Sequence, residues 1–300
     1  MKITVIIPYH DRDAAYLGDA LESVRRQTRP ADTVIVVDDC SSAPPDCPSW
    51  VTVLRTPRNR GPGGARNYAL VRAHADAFAF LDADDVWLPD KLAEQERVLA
   101  GARGADWSYT NCWYWGRGTV ARQPNSWFHG FAHLPIWRDV RMAHLQGHNF
   151  VTMSSVMIRQ EAMNGGFRDD LPISEDWELF TRLSNRVVAC QKPLHLYRLK
   201  GNGHHAAHLS DYVRVNTDIL IKMWERLSMA PPSVAIARIY ERAAIQHLNA
   251  GRPRMARRLL WSSEISPLAR SWRVRGLRLM ASLPRAAWPR LVAWRTGVCL

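Results

Sequence analysis

The sequence predicts an α/β fold in which helices flank a mainly parallel sheet, with a helical extension at the C-terminal end. Three observations support it. β-forming runs alternate with helical patterns over the first hundred residues, three of these runs end in polar residues, and positive charge collects in the last third of the chain. Alternating strands and helices are typical of parallel sheets covered on both faces. Ligands of such sheets bind beyond the carboxyl ends of the strands.

The elements of this sheet are expected in a regular order along the chain. Strands are predicted where β-branched and aromatic residues form a continuous run, and helices where apolar residues recur every three or four positions. The predicted strands cover 3–8, 33–37, 51–54 and 77–81, and the predicted helices cover 14–27, 61–75 and 89–99. Residues 206–300 read as further helices, separated by prolines and a glycine.

Composition excludes several classes of protein. An apolar fraction of 47% over 300 residues is ample for a packed core. The five cysteines are odd in number and form no C-x-x-C pair, so neither a disulfide framework nor a zinc site is indicated, and a reducing cytoplasm is expected. The apolar run at 3–7 is too short for a signal peptide, and no run reaches the ~18 residues of a spanning helix.

The net charge of +12 is unevenly distributed. Residues 1–205 carry 24 basic and 23 acidic side chains, whereas residues 206–300 carry 16 basic and 5 acidic side chains. Such an asymmetry indicates two functional parts. We therefore divide the chain into a domain over 1–205 and a basic, Arg- and Trp-rich helical extension over 206–300.

Three carboxylates, those of Asp82, Asp84 and Asp85, follow the apolar run at 77–81. Clustered carboxylates repel one another, and a bound divalent cation is a common relief. Oxygen ligands of this kind suit Mg²⁺ or Mn²⁺, which then bind phosphate groups of a substrate. The alternative is that Asp85 caps the next helix, which explains one of the three acidic residues.

Five short motifs occur in a fixed order, and the flank Leu196-Tyr197-Arg198 follows the last of them. They are Pro8-Tyr9-His10, Val37-Asp38-Asp39, Arg60-Gly61-Pro62-Gly63-Gly64-Ala65-Arg66-Asn67, Leu81-Asp82-Ala83-Asp84-Asp85 and Ile173-Ser174-Glu175-Asp176-Trp177. As an ordered set, these motifs resemble those of family 2 glycosyltransferases of the GT-A fold. The resemblance covers about residues 1–205. It implies an inverting, metal-dependent enzyme of the hexosyltransferase type that uses a nucleotide-diphospho-sugar, linked to UDP, GDP or dTDP.

The resemblance also implies which residues bind the nucleotide-sugar. Pro8, Tyr9 and Asp39 correspond to the positions that meet the nucleotide base. Arg66 follows a glycine-rich turn and corresponds to a residue that serves the diphosphate, together with the N-terminal amides of its helix. Asp82 corresponds to a residue that faces the ribose or the metal.

The same resemblance implies the metal ligands and the catalytic groups. Asp84 is the expected direct ligand of Mn²⁺ or Mg²⁺, with Asp82 beside it and His204 as a further ligand; a solvated loop is the alternative for His204. Asp176 is the expected general base that takes the proton of the acceptor hydroxyl, and Glu175 orients it or binds the acceptor. Capping of the following helix is the alternative for both carboxylates.

Aromatic residues in 105–160 predict strands and a long loop. The cluster at 107–115 is interpreted as core rather than as a sugar platform, and Trp127, in a polar loop, is the better candidate for stacking on a sugar. His148 precedes an expected strand over 151–158 that faces the acceptor cleft. The chain lacks the Q-x-x-R-W element of processive family members, so transfer of one sugar per encounter is expected.

The end of the chain, 252–300, combines eleven Arg with four Trp. This composition favours contact with an anionic membrane surface, with Leu268, Trp272, Leu279 and Leu283 on one side of a helix. The expected acceptor is therefore a glycan or a lipid-linked glycan used in cell-surface polysaccharide synthesis. The expected location is the cytoplasmic, inner face of the cell membrane. Solvated arginines are the alternative, and no nucleic acid is expected because no recognisable module is present.

Two other functions remain open on the sequence. A sugar-phosphate nucleotidyltransferase shares a related sheet, but such enzymes usually carry a G-x-G-T-R-like loop that this N-terminal region lacks. A non-catalytic membrane-associated module is the second alternative, and the complete set of Asp82, Asp84 and Asp176 argues against it.

Overall fold

The computed structural model describes residues 1–116, 119–120, 140, 143–147, 149–183, 186–198, 209–268 and 272–282. Nine strands of these residues form one sheet. The strands are β1 (Ile3–Tyr9), β2 (Thr33–Asp38), β3 (Thr52–Arg55), β4 (Ala77–Phe80), β5 (Val86–Trp87), β6 (Trp107–Gly116), β7 (Thr119–Val120), β8 (Val156–Arg159) and β9 (Val187–Arg198).

Helices cover both faces of this sheet and form most of the extension. Those used below are α1 (Leu17–Arg25), α2 (Gly61–Leu70), α3 (Lys91–Gly101), α4 (Glu175–Arg182), α5 (Leu209–Glu225), α6 (Ser233–Asn249), α7 (Pro253–Leu260) and α8 (Trp272–Ser282). The helix predicted over 61–75 ends five residues early, at Leu70, with Val71 at its C-cap position. The other early elements begin and end within about three residues of their predicted bounds.

The first four predicted strands form the parallel half of the sheet, in the order β3-β2-β1-β4. β1 is buried along its whole length, as a central parallel strand requires. Its last residue, Tyr9, lies beside Asp38 at the end of β2, so two of the motifs meet at the same edge. The α/β class, with helices flanking the sheet, is therefore confirmed.

The second half of the sheet is mixed. β8 is antiparallel to β4 and to β6, whereas β9 is parallel to β6 and antiparallel to β5. The pairing of β6 with β9 shifts register on either side of Asn111, which marks an irregularity in the ladder. β9 alternates irregularly between buried and exposed residues, and β5 has only two residues, so neither has a sequence pattern that predicts a strand.

The extension packs on the rest of the chain through a continuous apolar cluster. Ile173 and Trp177, which flank the start of α4, are buried together with residues of α5 and α6. Trp177 is only 1% exposed, and burial of a large apolar side chain is worth ~1.5–3 kcal/mol. Close contact is also made at Gly147, where an added Cβ atom would lie 2.6 Å from the carbonyl oxygen of Ala235.

A second cluster joins α6 to α7 and α8. Val274, Leu277 and Ala281 are buried there, whereas Leu279 is 59% exposed. The side of α8 that packs on α6 and α7 is therefore opposite to the predicted stripe through Leu279, which stays exposed.

Candidate functional site

The acidic turn at Asp82, Asp84 and Asp85 follows β4 directly, at the carboxyl edge of the parallel strands. A backbone hydrogen bond from the Asp85 N–H to the Asp82 carbonyl, 3.0 Å long, closes the turn. One carboxylate oxygen of each residue lies within 4.8 Å of the other two. The turn therefore holds three acidic groups at one point, as the sequence predicts.

Electrostatics in this turn fit a bound dication. Burial raises the pKa of the Asp82 carboxyl and, more strongly, that of Asp85, and the charge of Asp84 adds to both shifts. Arg66 partly offsets the rise at Asp82. The donor set consists of carboxylate oxygens, which suit Mg²⁺ or Mn²⁺ and not the softer metals. The residues present thus fit the implied metal.

Asp85 does not cap a helix, and that interpretation is wrong. α3 begins at Lys91 with Asp90 at its N-cap position. The Asp85 carboxylate instead accepts a hydrogen bond of 2.8 Å from the backbone N–H of Arg198, at the end of β9. Asp85 is therefore tied to the far half of the sheet, which the short β5 brings close by pairing with β9.

Arg198 is a residue of this site that the sequence analysis placed only in a motif flank. Its Nε donates to the Asp84 carbonyl at 2.7 Å, and its Nη2 donates to Asp19 at 2.9 Å. The guanidinium also lies over the ring of Trp115, 3.9 Å from the ring centroid. Together with its N–H bond to Asp85, these contacts fix the backbone of the acidic turn.

Arg66 connects the acidic turn to the second acidic motif. It lies on α2 and is 2% exposed. Its Nη2 donates to Asp82 at 2.6 Å and its Nη1 donates to Glu175 at 2.9 Å. Its guanidinium also stands 5.3 Å from the ring centroid of Phe167. One buried cation therefore holds together the carboxylates of Asp82 and Glu175, which lie 93 residues apart in the chain.

α4 begins with Glu175 and Asp176, directly after Ser174 in a left-handed conformation with φ of 63°. A Cβ atom added at Gly63 would lie 2.9 Å from Cγ of Glu175, so α2 and α4 meet where only glycine leaves room. This close approach explains why the glycine-rich turn and the second acidic motif occur together. It brings Arg66 within reach of Glu175.

Asp176 has the properties of a carboxylate that accepts protons near neutral pH. Burial and the neighbouring Glu175 raise its pKa to about 7, although a hydrogen bond from the Trp177 N–H and the charge of Arg66 oppose the rise. That bond from the Trp177 N–H is 2.6 Å long. A pKa near the working pH is what a general base needs.

Tyr9 and Asp39 meet at the ends of β1 and β2, as expected, and Pro8 is buried beside them. The Asp39 N–H donates to the Tyr9 carbonyl at 2.9 Å. The Asp39 carboxylate accepts from the Thr56 hydroxyl at 3.0 Å and from the Arg60 N–H at 2.9 Å. The Tyr9 ring is 5% exposed and packs largely into the core.

The remaining candidates have different outcomes. Asp38 is 1% exposed and receives hydrogen bonds from Arg55 and Ser41, which give it a structural role. Trp107 is buried and stacks on Phe180 at 5.5 Å between ring centroids, which agrees with a core role. Three residues, His204, Trp127 and His148, lie outside the described residues.

The sequence profile of glycosyl transferase family 2 matches residues 4–164. This match covers more than half of the chain. The chain belongs to glycosyl transferase family 2. The family inferred from the motifs is thus confirmed, and the matched residues contain the acidic turn, Arg66 and the ends of β1 and β2.

Named relatives of this family 2 chain act in polysaccharide synthesis according to their descriptions. The succinoglycan biosynthesis protein ExoW of Rhizobium meliloti is 45% identical over 102 residues, which are 30% of this chain and 32% of ExoW. The putative teichuronic acid biosynthesis glycosyltransferase TuaG of Bacillus subtilis is 38% identical over 117 residues, 36% of this chain and 45% of TuaG. The alignments therefore span less than half the length of these relatives.

Solved structures show the same fold. TarS of S. aureus in complex with UDP-GlcNAc has a TM-score of 0.55 at 19% identity, over 94% of this chain and 79% of that one. The mannosyltransferase PcManGT of Pyrobaculum calidifontis in complex with GDP-Man and Mn²⁺ has a TM-score of 0.52 at 18% identity, over 95% and 87%. At these identities the likeness concerns the fold, which is of the GT-A type.

Proposed function

We propose that this chain transfers one sugar from a nucleotide-diphospho-sugar to an acceptor hydroxyl, with inversion at the anomeric carbon. One observation carries the proposal: Arg66 binds Asp82 of the acidic turn and Glu175, the neighbour of Asp176, at the same time. This contact holds the acidic turn, which we assign to the leaving diphosphate, close to the motif of Asp176, which we assign to the acceptor.

Donor binding is assigned to the carboxyl edge of the parallel strands. Tyr9 and Asp39 meet the nucleotide base there, next to Pro8, and Arg66 with the N-terminal end of α2 faces the diphosphate. The solved relatives hold UDP-GlcNAc in one case and GDP-Man in another, which supports a UDP-, GDP- or dTDP-linked sugar as donor.

The acidic turn is assigned to a divalent cation. Asp84 and Asp82 are the proposed direct ligands, with Asp85 beside them, and Mn²⁺ in the PcManGT complex supports Mn²⁺ or Mg²⁺. When bound, such an ion neutralises negative charge that develops on the departing nucleoside diphosphate, an effect worth several kcal/mol. Arg198 keeps the backbone of the turn in place for this task.

Asp176 takes the proton of the acceptor hydroxyl as its oxygen bonds to the anomeric carbon. The C–O bond to the diphosphate breaks on the opposite face, so the configuration inverts and no covalent sugar–enzyme step is needed. Glu175 is held by Arg66 and keeps Asp176 in its raised-pKa environment. General-base help of this kind contributes on the order of 10²–10⁴-fold.

The acceptor is proposed to be a glycan or a lipid-linked glycan of the cell surface, extended by one sugar per encounter. The descriptions of ExoW and TuaG, which name succinoglycan and teichuronic acid synthesis, support this class. Among the described residues, no helix is both long and apolar enough to cross a bilayer.

We further propose that α7 and α8 bring the enzyme to the anionic, cytoplasmic face of the cell membrane. Arg254, Arg258 and Trp261 follow one another at helical spacing, and Trp261 is 52% exposed. Exposed arginine beside exposed tryptophan suits the headgroup region of anionic lipid. Arg257 and Arg278, in contrast, donate to the Ala281 and Leu260 carbonyls and serve the packing of the helices.

The membrane proposal is tested with the doubly substituted Arg254→Gln/Arg258→Gln protein and with Trp261→Ala. Both should bind vesicles containing phosphatidylglycerol more weakly than the unchanged protein, with little binding to phosphatidylcholine alone. The matched control is Arg214→Gln/Arg226→Gln, which removes two exposed charges, one on α5 and one directly after it. Equal vesicle binding by all proteins contradicts the proposal. Truncation is less suitable, since it uncovers apolar residues of α6.

The proposed activity is tested by a thermal-shift screen of nucleotide-sugars with and without Mn²⁺. A ligand at 100 times its dissociation constant stabilises by ~2.7 kcal/mol, which is readily measured. The best donor is then incubated with the protein and the products are identified. Release of nucleoside diphosphate supports sugar transfer or donor hydrolysis, whereas release of pyrophosphate identifies a nucleotidyltransferase. No binding and no turnover with any donor favour a non-catalytic module.

A further inference from the structure

Ser154 is a buried polar residue beside the acidic turn, and the proposed reaction gives it no task. It lies in a short 3₁₀ helix, Met153–Ser155, directly before β8, and it is 0% exposed. Burial of a hydroxyl is unfavourable unless the hydroxyl takes part in a hydrogen bond. The hydrogen-bond partners of Ser154 therefore indicate what the residue does.

The side chain of Ser154 holds the first residue of the acidic turn. The backbone N–H of Asp82 donates to Oγ of Ser154 at 3.0 Å. One residue earlier, the N–H of Leu81 still donates to the Ile6 carbonyl of β1 at 3.1 Å. The Ser154 hydroxyl thus replaces the sheet as hydrogen-bond acceptor at the residue where the carboxylates begin.

The backbone of Ser154 holds the residue that follows the acidic turn. The indole N–H of Trp87 donates to the Ser154 carbonyl at 2.9 Å, and Trp87 is 2% exposed. The backbone N–H of Trp87 donates to Oγ of Ser23, on α1, at 3.1 Å. A single residue therefore binds both flanks of the segment that carries the three carboxylates, and α1 secures the second flank.

Ser154 and Arg198 support different parts of the turn. Arg198 donates to the Asp84 carbonyl and to the Asp85 carboxylate, whereas Ser154 accepts from the N–H of Asp82. The bond from the Asp85 N–H to the Asp82 carbonyl connects the two parts. The carboxylates are therefore carried by a backbone that is held at its beginning and at its end.

The 3₁₀ helix that carries Ser154 is itself fixed by its neighbours. The Ser155 hydroxyl donates to the Thr152 carbonyl at 2.6 Å, and the Gln95 side chain of α3 donates to the Ser155 carbonyl at 3.0 Å. These two contacts do not involve the acidic turn. Ser155, 1% exposed, is therefore a neighbour of the same size and burial as Ser154 that serves a different purpose.

We propose that Ser154 is a positioning residue of the metal site: by holding the Asp82 N–H and the Trp87 indole, it sets the positions of Asp82 and Asp84 for a divalent cation. This inference rests on the proposed function and deepens it. Mn²⁺ and Mg²⁺ need ligands at defined positions, and contacts behind the ligands tune metal affinity. Without the hydroxyl, the Asp82 N–H loses its acceptor, and the turn shifts to satisfy it.

The experiment measures Mn²⁺ binding in the absence of any nucleotide. Mn²⁺ alone is titrated into each protein, and the free ion is followed by electron paramagnetic resonance. Ser154→Ala should bind Mn²⁺ at least ~10-fold more weakly than the unchanged protein, equivalent to ~1.4 kcal/mol. Ser154→Cys keeps the size of the side chain but is a weak acceptor, so it should show a similar loss.

Two further variants protect this test against a general loss of structure. Ser155→Ala, the matched control, removes a buried hydroxyl from the next residue and should bind Mn²⁺ like the unchanged protein. Trp87→Phe removes the indole N–H but keeps an aromatic ring, and it should weaken Mn²⁺ binding about threefold, less than Ser154→Ala, because the Asp82 N–H keeps its acceptor. Thermal unfolding without metal confirms that each variant folds.

The Mn²⁺ requirement of turnover separates positioning from a merely structural role. Ser154→Ala should need at least ~10-fold more Mn²⁺ for half-maximal turnover, and its turnover should approach that of the unchanged protein at saturating Mn²⁺, because the carboxylates themselves remain. A structural role lowers stability or turnover and leaves the Mn²⁺ requirement unchanged.

The outcomes distinguish this inference from the proposed function. Equal Mn²⁺ affinity of the unchanged protein and folded Ser154→Ala overturns the inference alone, and so does an equal loss in Ser155→Ala. If the unchanged protein binds no Mn²⁺, the assignment of the acidic turn to a cation fails, and the role of Ser154 fails with it.

Discussion

On the donor side of the cleft, the functional side chains belong to strand ends, to the turns that follow them, or to the helix after the glycine-rich turn. On the acceptor side, they come from α4, which an apolar cluster joins to α5 and α6. The donor side is thus fixed by backbone groups: the Asp39 N–H donates to the Tyr9 carbonyl, and the Arg60 N–H donates to the Asp39 carboxylate. The acceptor side depends on how separate helices pack.

This difference suggests how the two sides tolerate change. A strand end keeps its position as long as the sheet forms, whereas the start of α4 also depends on the packing of α5 and α6 against it. Arg66 is the point where both sides meet, with one carboxylate from each. Variants that act on one side alone therefore test whether donor and acceptor functions are separable.

The largest effect is expected from Asp176→Asn, on the acceptor side. Turnover should fall at least ~100-fold, because the proton of the acceptor hydroxyl loses its base, while the donor dissociation constant stays within about threefold. Initial rates and donor titrations measure the two quantities. Asp170→Asn, an exposed carboxylate on the preceding loop, is the control and should keep full activity. Unchanged turnover in Asp176→Asn excludes this residue as the base.

Arg66→Met should break the connection between the two sides. It leaves the partly buried carboxylates of Asp82 and Glu175 without their shared cation, which costs roughly 3 kcal/mol of unfolding free energy, the lower end for a buried pair. Urea unfolding at pH 8 measures the loss. Arg60→Met removes the partly exposed pair with Asp169 and should cost no more than ~1 kcal/mol. Similar unfolding free energies of the two variants contradict the role of Arg66 as the residue that holds the two sides together.

Asp84→Asn should weaken the donor side alone. Without this carboxylate, donor binding in the presence of Mn²⁺ should become at least ~10-fold weaker, equivalent to ~1.4 kcal/mol, because the ion loses a charged ligand. Binding without Mn²⁺ should change little. The exposed Asp46→Asn serves as the matched control. An equal loss with and without Mn²⁺ points to a direct role in donor contact instead.

The smallest effect is expected in the pH dependence of the protein's stability, because folding raises the pKa of Asp176. Its pKa rises from 3.8 to about 7 on folding, so the folded state holds its proton more tightly, and stability falls as pH rises from ~4 to ~7. Asp176→Asn does not titrate. Its unfolding temperature relative to that of the unchanged protein should therefore rise between pH 4.5 and pH 8, by at least about 2–4 °C, the effect of ~1 kcal/mol. A difference in unfolding temperature that is the same at both pH values contradicts the raised pKa.

The donor side could be predicted from the sequence to a large extent. Its strands are continuous apolar runs, and its acidic residues follow the runs directly, so periodicity and position were enough to locate β1, β2, β4 and the acidic turn. The meeting of the glycine-rich turn with Glu175 was not predicted from the sequence. Its physical reason, the missing side chain at Gly63, became visible in the structure.

Contacts between distant parts of the chain could not be predicted in the same way. Arg198 lies 113 residues from Asp85 in the chain, and no local pattern connects them. β9, which ends at Arg198, lacks the regular alternation of a half-buried strand. The cluster that joins α4 to α5 and α6 depends on how the helices pack, and no motif of the extension indicates it.

The most direct test of the account is a crystal structure of the protein with Mn²⁺ and its best nucleotide-sugar, with the ion located by anomalous scattering. The account predicts an anomalous peak at the carboxylates of Asp82, Asp84 and Asp85, with the anomeric carbon of the donor between the ion and Asp176. An ion bound elsewhere, or a donor whose anomeric carbon faces away from Asp176, contradicts it.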